Sequence, residues 1–130
     1  MNEAQQSVLA AAADLVEAFG RHDTDAYFAT FAPDATFLFH NLDRVLKGRQ
    51  DYREEWALWE RRDGFRVRGC RSSDQSVQIA GEVAVFIHTI ETDITSGGED
   101  VTSRERETIV FRRQGDGWIA FHEHLSVLPQ

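Results

Sequence analysis

An α+β fold follows from three features of the chain. Helical apolar periodicity is confined to the first half, one short β-prone run interrupts it, and four long β-prone runs divided by glycine turns fill the second half. Three helices interleaved with one short strand, then a four-strand meander, predict a curved antiparallel sheet wrapped on the helices. In residues 3–19, Val8, Ala12, Leu15 and Phe19 recur at helical spacing, widened by Leu9 and Val16, and Gly20 ends the pattern. Asp23-Thr-Asp caps a short second helix through Phe31, which Pro33 stops. Ala35 to His40 is a strand bracketed by Asp34 and Asn41. From Gly48 to about Arg62 a third helix places Tyr52, Trp56 and Trp59 on one stripe, and Asp63-Gly64 breaks it. The four strands of the meander cover about 65–79, 82–95, 101–113 and 117–127, separated by Ala80-Gly81, Ser96-Gly97-Gly98 and Gly115-Asp116-Gly117. No repeat, linker or low-complexity segment interrupts this order, so residues 1–130 are expected to form a single domain.

Composition narrows the function classes. A chain of 130 residues with nine Phe and three Trp can bury one real core. The net charge of −8 opposes general binding to nucleic acid or to anionic membranes. No apolar run approaches the roughly 18 residues of a membrane span, and the opening residues lack the charged and apolar regions of a secretory signal. A single cysteine, Cys70, allows no internal disulfide and fits a cytoplasmic location.

The last hairpin carries the most suggestive chemistry. Alternation along a strand puts Trp118, Ala120, His122, His124 and Ser126 on one face, and Ile119, Phe121, Glu123 and Leu125 on the other. On its partner, Glu105, Glu107, Ile109 and Phe111 oppose Arg104, Arg106, Thr108, Val110 and Arg112. His88 shares the more apolar face of its strand with Ala84, Phe86, Ile90 and Ile94, so it is placed inward.

Three stretches resemble the nuclear transport factor 2-like superfamily, in its SnoaL-like and ketosteroid-isomerase-like branch, and also the association domain of calcium/calmodulin-dependent kinase II. They are Phe31-Ala-Pro-Asp-Ala-Thr-Phe37, Gly48 at the opening of the third helix, and Arg106-Glu-Thr-Ile-Val-Phe-Arg-Arg with Gly117-Trp-Ile-Ala-Phe-His-Glu-His-Leu-Ser126. The resemblance implies a cone-shaped sheet whose interior pocket the helices close, and a homodimer formed through the sheet. It is weak for function, since this fold hosts isomerases, dehydratases, cyclases, epoxide hydrolases and assembly domains. The places of the ketosteroid isomerase Tyr, Asp and Asp hold Leu15, Phe39 and Ile109 here, which excludes chemistry of that type. The arginine places of the kinase association domain hold His88, Ile109 and Leu125.

The same overlay turns Ala120, His122, His124 and Ser126 toward the pocket, with a bulge as the one feature that could reverse them. His122, His124 and Glu107 are therefore the candidate catalytic residues, because imidazole titrates near neutrality and a neighbouring carboxylate fixes its tautomer. His88, Trp56, Tyr27, Phe39, Ile109, Ala120 and Ser126 are candidate pocket residues. The expected ligand is a small apolar or polyketide-like molecule, transformed by an isomerase, dehydratase or cyclase reaction. The other reading is a non-catalytic ligand-binding or oligomerisation domain, in which the two histidines are structural or line a dimer seam. His122-x-His124 with His88 is also a zinc-ligand pattern, but it is short and commonplace, so no metal or cofactor is expected. The basic cluster Arg61, Arg62, Arg66, Arg68 and Arg71 reads as a solvated strand face paired with acidic residues, and Cys70 as a small buried residue.

Overall fold

In the computed structural model, which describes residues 2–129, the chain starts with a reciprocal cap. The Asn2 side chain accepts the Gln5 N–H at 2.8 Å, and the Asn2 N–H donates to Gln5 Oε1 at 3.1 Å. The cap opens α1 (Glu3–Gly20), which buries Val8, Ala12, Leu15 and Ala18. Asp23 accepts the Ala26 N–H and opens α2 (Thr24–Ala29). Then come β1 (Phe31–Phe39), β2 (Leu46–Lys47), α3 (Arg49–Asp63), β3 (Arg66–Ala80), β4 (Val83–Ser96), β5 (Glu99–Gln114) and β6 (Gly117–Val127). Gly64 ends α3 in the left-handed conformation at φ 62°, a geometry that favours glycine. No helix among the described residues is long and apolar enough to cross a membrane.

The six strands form one sheet in the order β2-β1-β6-β5-β4-β3. Neighbours are antiparallel except β1 and β6, which run parallel. The meander is as expected, but the join between α2 and β1 is not. The helix expected through Phe31 ends at Ala29, and the strand already begins at Phe31, which pairs with Ala120. Pro33 therefore lies inside a strand, in the stretch between Phe31 and Thr36 where the β1–β6 register shifts and no ladder N–H is required.

The core fills the concave side of the sheet. Phe28, Phe31, Phe37 and Trp56 from the first half meet Phe86, Ile109 and Phe111 from the meander, all fully buried. His22 ties the layers together. Its Nδ1 accepts the Val67 N–H at 2.9 Å, its Nε2 then donates to Glu60 at 2.8 Å, and its ring stacks on Trp56. His22 is thus a structural histidine.

Three bulges set which side chains look inward. In β3 the register shifts between Val67 and Gly69 and again between Ser73 and Ser76, with Asp74 at φ 52°. In β6, Ala120 pairs with Phe111 and His122 with Val110, so Phe121 is the extra residue. The close approach of α1 to β3 depends on Gly20, where a β-carbon would sit 3.3 Å from both the backbone nitrogen and the Cβ of Cys70. Gly20→Val should therefore destabilise the fold by about 1–3 kcal/mol through overpacking, read as a lower urea midpoint at unchanged slope.

Candidate acid–base site in an apolar cavity

A cavity of about 250 Å³ lies between the helices and the concave face of the sheet. Phe19, Tyr27, Phe39, Tyr52, Trp59 and Phe65 supply aromatic walls, and Leu15, Ile90 and Leu125 supply aliphatic ones. The charged part of the lining is Glu105 and Glu107 from β5, Glu123 from β6, and His40 just after β1.

Each polar group is placed by its strand. Alternation along β5 turns Glu105, Glu107, Ile109 and Phe111 inward. His88 also faces inward, opposite Glu107 in the β4–β5 register. On β6 the extra residue Phe121 exchanges the two faces beyond it. Trp118 and Ala120 point inward before the bulge, and Glu123 and Leu125 point inward after it.

The expected inward orientation of His122, His124 and Ser126 is thereby corrected. His122 lies on the outer face, its Nδ1 2.8 Å from Thr36 Oγ1, and its pKa is lowered by partial burial and then by His124. His124 and Ser126 are exposed. Tyr27 and Phe39 line the cavity. Ala120, Ile109 and Trp56 are buried in the packing behind it, with the Trp56 indole N–H donating to Thr24 Oγ1. His88, His122 and His124 do not converge, and no metal-binding group of three or more His, Cys, Asp or Glu occurs among the described residues.

What the fold brings together instead is a chain of hydrogen bonds that runs from the surface into the core. Gln75 Nε2 donates to Ser72 Oγ at 2.9 Å, and Ser72 Oγ lies 2.6 Å from His88 Nδ1. With the serine hydrogen given to Nδ1, the neutral ring carries its proton on Nε2 and donates to Glu107 Oε1 at 2.7 Å. Glu107 in turn accepts the carboxyl hydrogen of Glu123. His88, Glu107 and Glu123 are 1%, 4% and 2% exposed, so the inner part of the relay is shielded from water, whereas Gln75 at its outer end is exposed.

Burial decides the protonation of this relay. It raises Glu107 to about 7, and it raises Glu123 further, helped by the Glu107 charge and by the hydrogen bond that Glu123 donates. It lowers His88 to about 4, which keeps the imidazole neutral. Two carboxyls in contact thus share one proton inside a cavity wall. Glu123 Oε2 is buried with no hydrogen-bond partner among the described residues. Nearby, the Tyr27 and Tyr52 hydroxyls bond each other at 2.8 Å, and burial followed by the Glu123 charge raises both, so they stay protonated. At the rim, His40 Nε2 is 2.5 Å from Glu105 Oε2.

The sequence reading missed Glu123, Tyr52, Glu105 and His40 as site residues. Strict alternation placed Glu123 on the wrong face. The available signal was Trp118-Ile-Ala-Phe121, four apolar residues in a row where a half-exposed strand should alternate. Tyr52 was on the correct helix stripe, one turn from Trp56, but only the fold shows that it, and not Trp56, reaches the cavity.

A cone of sheet closed by helices, with polar groups on its inner strands, defines a pocket-bearing α+β domain of the nuclear transport factor 2-like type. Residues 8–130 match the SnoaL-like domain, and the chain belongs to that family. The fold is similar to that of a ketosteroid isomerase-like protein from Erwinia carotovora atroseptica (TM-score 0.81, 21% identity, all of both chains). It is also similar to a nuclear transport factor 2-like protein of unknown function in nutrient uptake from Rhodospirillum rubrum (TM-score 0.79, 26% identity, 94% of this chain and 98% of that one). A third likeness is the calcium/calmodulin-dependent kinase II hub homology domain of Chlamydomonas reinhardtii (TM-score 0.75, 20% identity, 98% of this chain and 100% of that one). No curated protein matches the sequence.

The buried pair makes stability depend on pH with a definite sign. A carboxyl whose folded pKa is raised favours the folded state while protonated, and this contribution is lost as pH rises from the ordinary carboxyl value through the raised one. Glu107 and Glu123 both act in this direction from about 4.5 upward, Glu107 as far as about 7. His88, lowered from 6.5 to about 4, opposes them within that window. The excess belongs to Glu123. Relative to wild type, Glu123→Gln should therefore gain stability steadily from pH 5 to pH 8.5, read from urea midpoints of the two proteins. A constant difference between them would contradict a protonated, buried Glu123.

Proposed function

We propose that this protein binds a small, largely apolar molecule and carries out proton transfer on it, as an isomerase, dehydratase or cyclase. The observation that carries this reading is the proton-sharing Glu107–Glu123 pair on the wall of a largely apolar cavity, with one oxygen left unpartnered. A general base works best when its pKa lies near the operating pH, and Glu107 at about 7 meets that condition. Glu123 is the acid partner, protonated by its surroundings and in contact with the base. His88 is a positioning residue. Its Nε2–H fixes the Glu107 carboxylate, and Ser72 fixes the ring in turn. The Tyr27–Tyr52 pair keeps one hydroxyl hydrogen beyond their mutual bond, a donor for an oxygen on which charge develops. His122 and His124 are not used in this mechanism.

The acid–base reading is tested by proton exchange on a simple apolar ketone. In D2O at pH 7.5 the protein should speed α-deuteration of 2-tetralone over buffer, measured by mass spectrometry. Glu107→Gln should remove at least 100-fold of that rate, within the usual range for loss of a general base. Saturable ketone binding with no exchange above buffer would assign the second reading, a ligand-binding domain without catalysis.

We also infer a homodimer through the sheet. The outer face carries Leu38, Val85, Ile87, Val110 and His122 across β1, β6, β5 and β4, with Ile87 on β4 38% exposed. Ile87→Asp should convert a dimer into monomers in sedimentation velocity runs. A wild-type protein that sediments as a monomer at 100 µM would overturn this inference.

A further inference from the structure

The cavity lining has an unbalanced charge. Among the described residues it contains Glu105, Glu107 and Glu123 but neither arginine nor lysine, and its one basic side chain, His40, is engaged with Glu105. A ligand carboxylate would find no cation there and would lie against carboxyls in a site of low polarity. The aromatic walls point the same way. Phe19, Tyr27, Phe39, Tyr52, Trp59 and Phe65 present ring surfaces around the space, and ring faces attract cations, most strongly where water is excluded.

The unpartnered oxygen adds direction. Glu123 Oε2 is buried with no hydrogen-bond partner among the described residues, and the residue is 2% exposed on the cavity wall. A buried carboxyl oxygen without a partner is costly, and none of the described residues supplies a donor to it. An N–H carrying positive charge on a compact apolar body answers the unpartnered oxygen, the acidic lining and the ring faces together.

We propose that the natural ligand of this cavity is a compact apolar amine, held as its ammonium form with an N–H donated to the Glu123 carboxyl and the hydrocarbon body among the six aromatic rings. The assignment rests on the small-molecule pocket of the preceding reading, and it specifies the substrate class. Binding carries a proton consequence. The groups facing Glu123 are Glu107, with His88 behind it, Glu105 with His40, and the Tyr27–Tyr52 pair. An ammonium beside this cluster favours the ionised carboxyl, so the proton shared by Glu107 and Glu123 is released to solvent as the amine enters.

The test is isothermal titration at pH 7.5 with a matched series, 2-phenylethylamine, 2-phenylethanol and 3-phenylpropionate, in two buffers of different ionisation enthalpy. The amine is expected to bind at least tenfold more tightly than the alcohol, with no detectable carboxylate binding. The amine's binding enthalpy should depend on the buffer, showing proton release. Glu123→Gln, checked for folding by near-ultraviolet circular dichroism, should weaken the amine at least tenfold, abolish proton release and leave the alcohol within twofold. Alcohol binding equal to the amine, binding of the carboxylate, no binding by any of the three, or an unchanged amine affinity in Glu123→Gln would each overturn the proposal. Failure here is separable from failure of the acid–base reading. Amine binding without deuteration of 2-tetralone sinks only the catalysis, and deuteration without amine binding sinks only the amine.

Discussion

The site depends on one inserted residue. Phe121 occupies a position in β6 that has no counterpart on β5, and every side chain after it is turned to the opposite face. The neighbouring strand on the other side agrees with this placement. Thr36 lies beside His122 and Phe37 beside Glu123, so the buried Phe37 and the partly exposed Thr36 each meet a residue of matching environment. A strand without the bulge would carry two imidazoles into the cavity and leave a carboxyl outside. The bulged strand does the reverse. The inner wall therefore holds an acidic relay, and the histidines lie on the outer face of the sheet.

Enclosing that relay works against stability. An ionised carboxylate inside a protein costs several kcal/mol unless other groups solvate it, and this chain buries two carboxyls in contact. It limits the cost by keeping one of them protonated and by giving the other two donors, the Glu123 hydroxyl and the His88 Nε2–H. His88 can serve only because Ser72 holds its other nitrogen, and Ser72 is itself held by Gln75 across the second bulge of β3. Two irregularities in two strands thus converge on one carboxylate. The exception, Glu123 Oε2, is left unsatisfied in the middle of a satisfied network.

How much of this the sequence disclosed follows from the physics of each element. Helical periodicity was legible because Val8, Ala12 and Leu15 must all face the core, and the three turns of the meander were legible because their glycines adopt positive φ. Glu107 and His88 were found because β4 and β5 alternate without interruption along their shared length. The boundary at Phe31 was misplaced because Pro33 reads as a helix stop, whereas a register shift beside it lets proline occupy a strand. The facing of β6 was misread for a related reason. A bulge has no obligatory residue type, and Ala120-Phe121 carries no glycine or proline to mark it. Tertiary pairing with β1 and β5 decides the matter, and pairing cannot be read from one strand alone.

The two halves of the chain make separable contributions to the cavity. The helices and β1 supply ring surface and hence shape, while β5 and β6 supply the titratable groups and hence chemistry. The hydrogen-bonded Tyr27–Tyr52 pair is the one polar feature of the helical wall, and it bridges two helices. A division of this kind explains how one architecture accommodates unrelated activities. Exchanging a side chain on an inner strand alters charge and pKa without disturbing the helical packing behind it. Here neither arginine nor lysine among the described residues lines the cavity. Without a guanidinium or ammonium on the inner wall, nothing neutralises Glu107 and Glu123, and the pair must manage its charge by sharing a proton. The acidity of the cavity is therefore a consequence of what the strands lack as much as of what they carry.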